Sequence, residues 1–265
     1  MSQSIFSWRT GSCEVFMLTE HQGPGNPDIL LDADHALVQK YIPGGNFISG
    51  VNVFLVREGK RIVLFDTGFG RQIFDSMKTL GIEREEVSAV LITHLHGDHF
   101  MGLERDGKAL FPAADVLLSE KERDSGISAP PGGPGKSAAA VLAPYGGRVK
   151  TFTPGTLTKA EPLLPGIGAI AAYGHTAGHT VYLIESAGEK LLITGDMIHA
   201  GAIQFPAPDI SVSFDTDPGA ARVSRREILA WAAAGGIPLG GMHLAYPALG
   251  TVRAENGGYH FTPAG

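Results

Sequence analysis

Cysteine is almost missing. Cys13 is the only one in 265 residues, which excludes an intrachain disulfide and a cysteine-based zinc knuckle. Basic clusters are missing too: no run of Lys or Arg exceeds two residues and the formal charge is -6, so nucleic acid is not expected as a partner. No uninterrupted apolar stretch approaches the ~18 residues of a membrane span, and a membrane is not expected either. The N-terminus, Met1-Ser2-Gln3-Ser4-Ile5-Phe6-Ser7-Trp8-Arg9, carries no basic segment followed by an apolar one and no small-residue cleavage site. With a single thiol, these absences point to a reducing, cytoplasmic setting. What the chain does have is 43% apolar residues, ample for a core, in a length that fits one large domain or two small ones.

Strand and helix signals alternate along it. Residues 51–57 and 61–66 are rich in Val, Leu, Ile and Phe around the polar Glu58-Gly59-Lys60, which reads as a β-hairpin. Helical spacing of Ile73, Phe74, Met77 and Leu80, stopped by Gly81, predicts a helix over 70–80, and a buried strand follows at 87–92. Asp115 to Leu118 reads as a short strand. Ser119-Glu120-Lys121-Glu122 has the form of a capping box. Pro130-Pro131-Gly132-Gly133-Pro134-Gly135 breaks any regular element. Strand signals return at 169–173, 180–185 and 190–194, and Asp217-Pro218 supplies an N-cap and first position for a helix reaching about Ala234, ended by Gly235-Gly236. This order predicts an α/β (α+β) architecture, sheets flanked by helices in one compact domain over 1–265, with a variable loop or lid over about 104–165.

The chemistry concentrates in Thr93-His94-Leu95-His96-Gly97-Asp98-His99, directly after the apolar run 87–92. If 93–96 continue the strand, His94 and His96 share one face and grip one cation, while Gly97 turns the backbone so that Asp98 and His99 address a second position. A helical H-E-x-x-H reading fails, because the stretch has Gly97 and no glutamate. Further ligands are needed, and Gly174-His175-Thr176-Ala177-Gly178-His179, Thr194-Gly195-Asp196 and Gly240-Gly241-Met242-His243 each follow a strand or apolar run, where open α/β architectures place their sites.

Together these residues resemble the metallo-β-lactamase superfamily, whose H-x-H-x-D-H signature is matched by His94, His96, Asp98 and His99. The resemblance implies an αβ/βα four-layer sandwich. It also implies that His94, His96 and His175 hold one metal, that Asp98, His99 and His243 hold the other, and that Asp196 bridges both. In the glyoxalase II and lactonase-like relatives the first histidine of the G-H-x-x-G-H motif is the ligand. His175 is therefore preferred, and His179 becomes a supporting or core histidine. Asp66, in Leu64-Phe65-Asp66-Thr67-Gly68, matches a buried aspartate that orients the ligand loop; the plain alternative is a strand-end turn residue. A narrower similarity, to the methyl parathion hydrolase branch, rests on Gly195-Asp196-Met197-Ile198-His199, Gln204-Phe205-Pro206, Phe214-Asp215-Thr216-Asp217-Pro218 and Met242 to Gly250. That branch implies a homodimer.

Two divalent ions about 3.5–4 Å apart turn a bridging water into hydroxide near neutral pH and stabilise the departing alkoxide. Zinc is expected; manganese, iron and cobalt also suit histidine and carboxylate. The expected activity is hydrolysis of a small-molecule lactone or carboxylic ester, with organophosphotriesters as side substrates and Asp98 shuttling the proton. Competing readings are a glyoxalase II-like thioesterase, a β-lactamase, a phosphodiesterase or nuclease, and a catalytically silent metal-binding module. A single-iron persulfide dioxygenase is disfavoured by the second ligand set. His199 stands between a pocket role and ordinary packing. Tyr246, three residues past His243, stands between a hydroxyl near the leaving group and aromatic lining. His21, His35 and His260 have no ligand-like neighbours.

Overall fold

Alternate residues of the N-terminal strands divide between two cores. Val15, Met17, Phe54, Val56, Val63 and Phe65 turn inward to meet residues of a second sheet, whereas Phe16, Leu18, Val53, Leu55, Ile62 and Leu64 turn outward to meet helices. A period of two does this directly. Full burial of such a side chain is worth roughly 1.5–3 kcal/mol over exposure, so a slip of one residue would be prohibitive.

The computed structural model describes residues 4–127 and 136–265; the Pro130–Gly135 stretch lies outside them. One seven-stranded sheet takes, in spatial order, Ile5–Thr10, Cys13–Pro24, Ile48–Glu58, Arg61–Phe65, Ala89–Leu91, Asp115–Ser119 and Val149–Phe152. Its first four strands are antiparallel neighbours and the remaining pairings are parallel. The other seven-stranded sheet takes Glu161–Leu164, Ile167–Ala171, Thr180–Ser186, Glu189–Ile193, Leu239–Gly240, Leu249–Glu255 and Gly258–Pro263. There only Glu189–Ile193 and Leu239–Gly240 run parallel.

Helices cover the outer faces. Gln72–Thr79 buries Ile73 and Met77 against the first sheet. Pro218–Gly235 buries Ile228, Leu229 and Ala232 with the second. The longer helix is capped as its sequence requires: Asp217 Oδ1 accepts the Ala220 N–H at 3.0 Å, and Gly236 takes a left-handed conformation after the last turn. The layers are helix, sheet, sheet, helix, the four-layer αβ/βα sandwich. None of the described helices is long and apolar enough to cross a membrane.

Much of 104–165 is regular where it is described. It supplies two strands of the first sheet, the helices Glu120–Gly126 and Ala138–Leu142, and buried Val116, Leu118, Val141 and Tyr145. The parallel strands of both sheets end on one edge of the sandwich. Asp66 and the Thr93–His99 loop leave the first sheet there, and Asp196 and His243 leave the second.

Candidate metal centre

The loop carrying three of the histidines is irregular because a carboxylate takes over from the sheet. Asp66 is fully buried in a left-handed conformation, with φ 58°. Its Oδ1 accepts the Thr93 N–H at 2.7 Å, and its Oδ2 accepts the Thr93 hydroxyl and the His99 Nδ1–H, each at 2.7 Å. Once the Thr93 N–H is given to Asp66, the strand cannot continue. It ends at Leu91, residues 93–96 form a loop rather than the expected strand extension, and Gly97–Phe100 is a helical turn.

That loop meets the others at one cluster. One donor atom from each of His94, His96, His175 and Asp196 lies within 4.8 Å of the rest, and Asp98, His99 and His243 form a second such group. Asp196 stands between them. Its Oδ2 lies 3.6 Å from His94 Nε2, 3.2 Å from His175 Nε2 and 3.0 Å from His243 Nε2, while its Oδ1 lies 3.1 Å from His99 Nε2. Asp98 flanks the second group, 3.7 Å from His99 Nε2 and 3.5 Å from His243 Nε2. The structure thus gathers all seven residues singled out in the sequence.

Three of the rings are aimed by their far nitrogen. His99 Nδ1 donates to Asp66, His175 Nδ1 donates to Asp215 Oδ1 at 2.9 Å, and His243 Nδ1 donates to the Gly50 carbonyl at 2.8 Å. Each therefore presents an unprotonated Nε2 to the cluster when neutral, the usual arrangement behind a metal-binding histidine. His94 Nε2, His99 Nε2 and Asp196 Oδ1 are buried without a hydrogen-bond partner. Nitrogen and oxygen atoms that face one another at 3.1–3.6 Å without hydrogen-bond geometry could hold a cation among them.

The electrostatics follow from this crowding. Burial presses His94 well below the usual imidazole range, and burial with neighbouring His175 takes His96 down to about 4. His99 and His243 also suffer burial, but Asp196 and Asp98 outweigh it, raising His99 well above its usual value and His243 to about 9. Burial would raise Asp196, yet the surrounding histidines, His243 first, hold it well below the carboxylate range.

The neighbouring candidates are placed individually. His179 is occupied: its Nε2 accepts the Asp196 N–H at 3.0 Å and its Nδ1 donates to the Ala172 carbonyl at 3.1 Å, so it supports the cluster from behind. Gly195 must approach it closely, since a Cβ there would lie 2.6 Å from His179 Nε2. His199 is buried, with Nε2 3.1 Å from Asp196 Oδ2 and its ring stacked on His243 at 4.8 Å. Asp196, His199 and His243 form a third compact donor set.

Tyr246 is not at the cluster. Its hydroxyl donates to the Ile5 carbonyl at 3.1 Å and its ring packs edge-on against Phe6, lining a separate cavity of about 870 Å³ with Phe47, Phe205 and Phe261. A hydroxyl spent on the N-terminal strand cannot serve a leaving group. His21, His35 and His260 are exposed and take no part.

Sequence reasoning missed several supports. Asp215, which holds His175, sits two residues before the helix cap Asp217; its Oδ2 also accepts the Val212 N–H and lies 3.8 Å from the buried Arg225. Asn52 Nδ2 donates to the Met242 and Leu244 carbonyls, each at 2.8 Å, on both sides of His243. Glu122 was visible only as a capping-box residue. The Ser119 hydroxyl does accept the Glu122 N–H at 3.0 Å, but the Glu122 carboxylate turns away from the cap toward the ligand loops.

Fold and donor set together define a class: the chain belongs to the metallo-β-lactamase superfamily, whose family model matches residues 48–233. Two solved structures resemble it along nearly the whole chain. One is AbOPH, a hydrolase in the β-lactamase superfamily, with a TM-score of 0.86 and 28% identity, covering 100% of this chain and 99% of that one. The other is AidC, a dizinc quorum-quenching lactonase in complex with a product, with a TM-score of 0.85 and 25% identity, covering 99% and 98%. Among curated proteins, thioesterase pkgB of Emericella nidulans is 30% identical over 179 residues, 66% of this chain and 44% of that protein. The chain spans less than half the length of the curated relatives it matches.

Proposed function

We propose that this chain is a dinuclear, zinc-dependent hydrolase of an ester-like bond, a lactone or carboxylic ester, with organophosphotriesters as side substrates. The observation that carries this reading is the convergence of seven donors in two groups that share Asp196, with buried nitrogen and oxygen atoms left unbonded between them. His94, His96 and His175 would hold one cation, Asp98, His99 and His243 the other, and Asp196 both. Such a pair supplies an activated water at neutral pH and a Lewis acid for the carbonyl or phosphoryl oxygen.

The chain's own groups do the remaining work. Asp66, Asp215 and the Gly50 carbonyl fix the ring orientations. Asp98, with a side chain 24% exposed against 2% for Asp196, faces the mouth of the cluster, where its carboxylate takes the proton of the attacking water and returns it to the departing alkoxide. Among the described residues, the exposed large apolar side chains are Ile48, Phe69, Phe214 and Val223. Phe214 lies 5.9 Å from the His199 ring, whereas Ile48 opens the strand Ile48–Glu58 and lines the separate cavity. An exposed aromatic ring beside the cluster suits an acyl or aryl group next to the reacting bond better than a polyanion.

We assign the chain to the methyl parathion hydrolase and lactonase-like branch, on the motifs quoted above and with the support of its full-length likeness to AbOPH and AidC. A single domain and a homodimer belong to the same reading. Thioester hydrolysis is the second reading, favoured by the similarity to thioesterase pkgB. The test is a substrate panel of lactone, aryl ester, thioester and phosphotriester, run on zinc-loaded and chelator-stripped protein. Lactone or ester turnover that vanishes on stripping and returns with zinc supports the main reading. Turnover of the thioester alone selects the second, and metal binding without any turnover leaves a silent binding module.

A further inference from the structure

Glu122 is a buried carboxylate with no part in the donor groups. Only 2% of it is exposed, and it sits in the first turn of the helix Glu120–Gly126. Its Oε1 accepts the Leu95 N–H at 2.8 Å, and its Oε2 accepts the Thr176 hydroxyl at 2.6 Å and the Gly178 N–H at 2.9 Å. Leu95 lies between His94 and His96, and Thr176 follows His175. One side chain thus ties together the two separate loops that supply all three histidines of the first donor group. The loops are drawn in close: a Cβ at Gly178 would fall 2.1 Å from the Glu122 backbone nitrogen. All three donors are uncharged, and together their hydrogen bonds offset the cost of burying the carboxylate.

We propose that Glu122 is a positioning residue for the cation held by His94, His96 and His175. It sets the separation of the two ligand loops and adds a fixed negative charge behind them. It does not brace the other group, where Asp66 holds His99 and the Gly50 carbonyl holds His243. The inference rests on reading the cluster as a two-cation centre. Glu122→Gln keeps the shape but turns one acceptor into a donor, which then faces an N–H it cannot satisfy.

The test is a cobalt titration of metal-free protein followed by the visible absorption of the bound ion, with the thermal midpoint of the metal-free form measured alongside. Wild type should show two binding steps. Glu122→Gln should weaken one step about 10–100-fold, the effect expected of groups that orient ligands, and leave the other unchanged. Two unchanged steps with a lowered thermal midpoint would make Glu122 a purely structural residue and overturn the proposal. Should Glu122→Gln not fold, Glu122→Asp decides on the same criterion. A wild type that takes up no cobalt would instead remove the two-cation reading itself, a result distinguishable from failure of the clamp alone.

Discussion

The two donor groups differ in how ready they are for a cation. In the first, burial keeps His94 and His96 neutral, and two carboxylates, Asp215 and Glu122, brace the loops that carry the histidines. In the second, His99 and His243 both hold their protons more tightly than a free imidazole, drawn by Asp196 and Asp98. A ligand must be deprotonated to bind. On the proposed two-cation reading the first position would have only the His175 proton to shed, while the second would have two, with a partly exposed aspartate beside it. On that reading the site would combine a tighter position with a more exchangeable one, and Asp196 would join the two.

The most drastic way to break this contrast is to remove what both groups share. Asp196→Asn should abolish the difference by emptying both positions, lowering kcat/KM by at least about 1000-fold, equivalent to about 4 kcal/mol of barrier; steady-state kinetics with metal analysis checks it. Separating the groups needs a matched pair. Asp215→Asn should weaken the first position alone, about 10–100-fold in affinity, whereas Asp66→Asn should weaken the second to that degree through His99 and the first less, through the Thr93 hydroxyl that meets His94 Nδ1 at 3.1 Å. Asp66→Asn should also cost about 1–3 kcal/mol of stability by disturbing the buried Thr93 bonds, measured by denaturant unfolding.

Acidity sharpens the comparison further. His243 carries its proton up to about pH 9, and His99 is raised as well, whereas in the first group only His175 is raised, by Asp196 and Asp215 against its burial. Affinity of the second position should thus fall more steeply than that of the first as pH drops from about 9 to 7, with more protons released on binding. Calorimetry in buffers of different ionisation enthalpy counts them. The smallest effect belongs outside both groups: Tyr246→Phe should leave kcat and KM unchanged and cost only about 0.5–1.5 kcal/mol, the worth of its bond to Ile5.

The cluster was legible because its residues are adjacent in sequence or follow strong strand signals. The hairpin around Gly59, the strand before His94 and the helix after Asp217 each carry a local signature of alternation, apolar run or cap. The strand Cys13–Pro24 does not, since its first eight residues are buried almost without alternation and no polar face marks its phase. Residues 93–96 misled for another reason: a side chain 27 positions earlier, Asp66, captures the Thr93 N–H that would have extended the strand. Glu122, Asp215 and Asn52 were hidden in the same way. Each acts on loops 27 to 192 residues away, so local pattern gives them ordinary roles as cap, turn or strand residues.

Two unequal cation positions in one cluster are what the proposed chemistry requires. Zinc titration of the metal-free chain at pH 7, with bound metal counted per chain in wild type and in His243→Ala, tests this requirement most directly. Wild type should bind two ions in two distinguishable steps, and His243→Ala one ion, in the tighter step. Saturation of the wild type at a single ion, or His243→Ala binding two as wild type does, would contradict it.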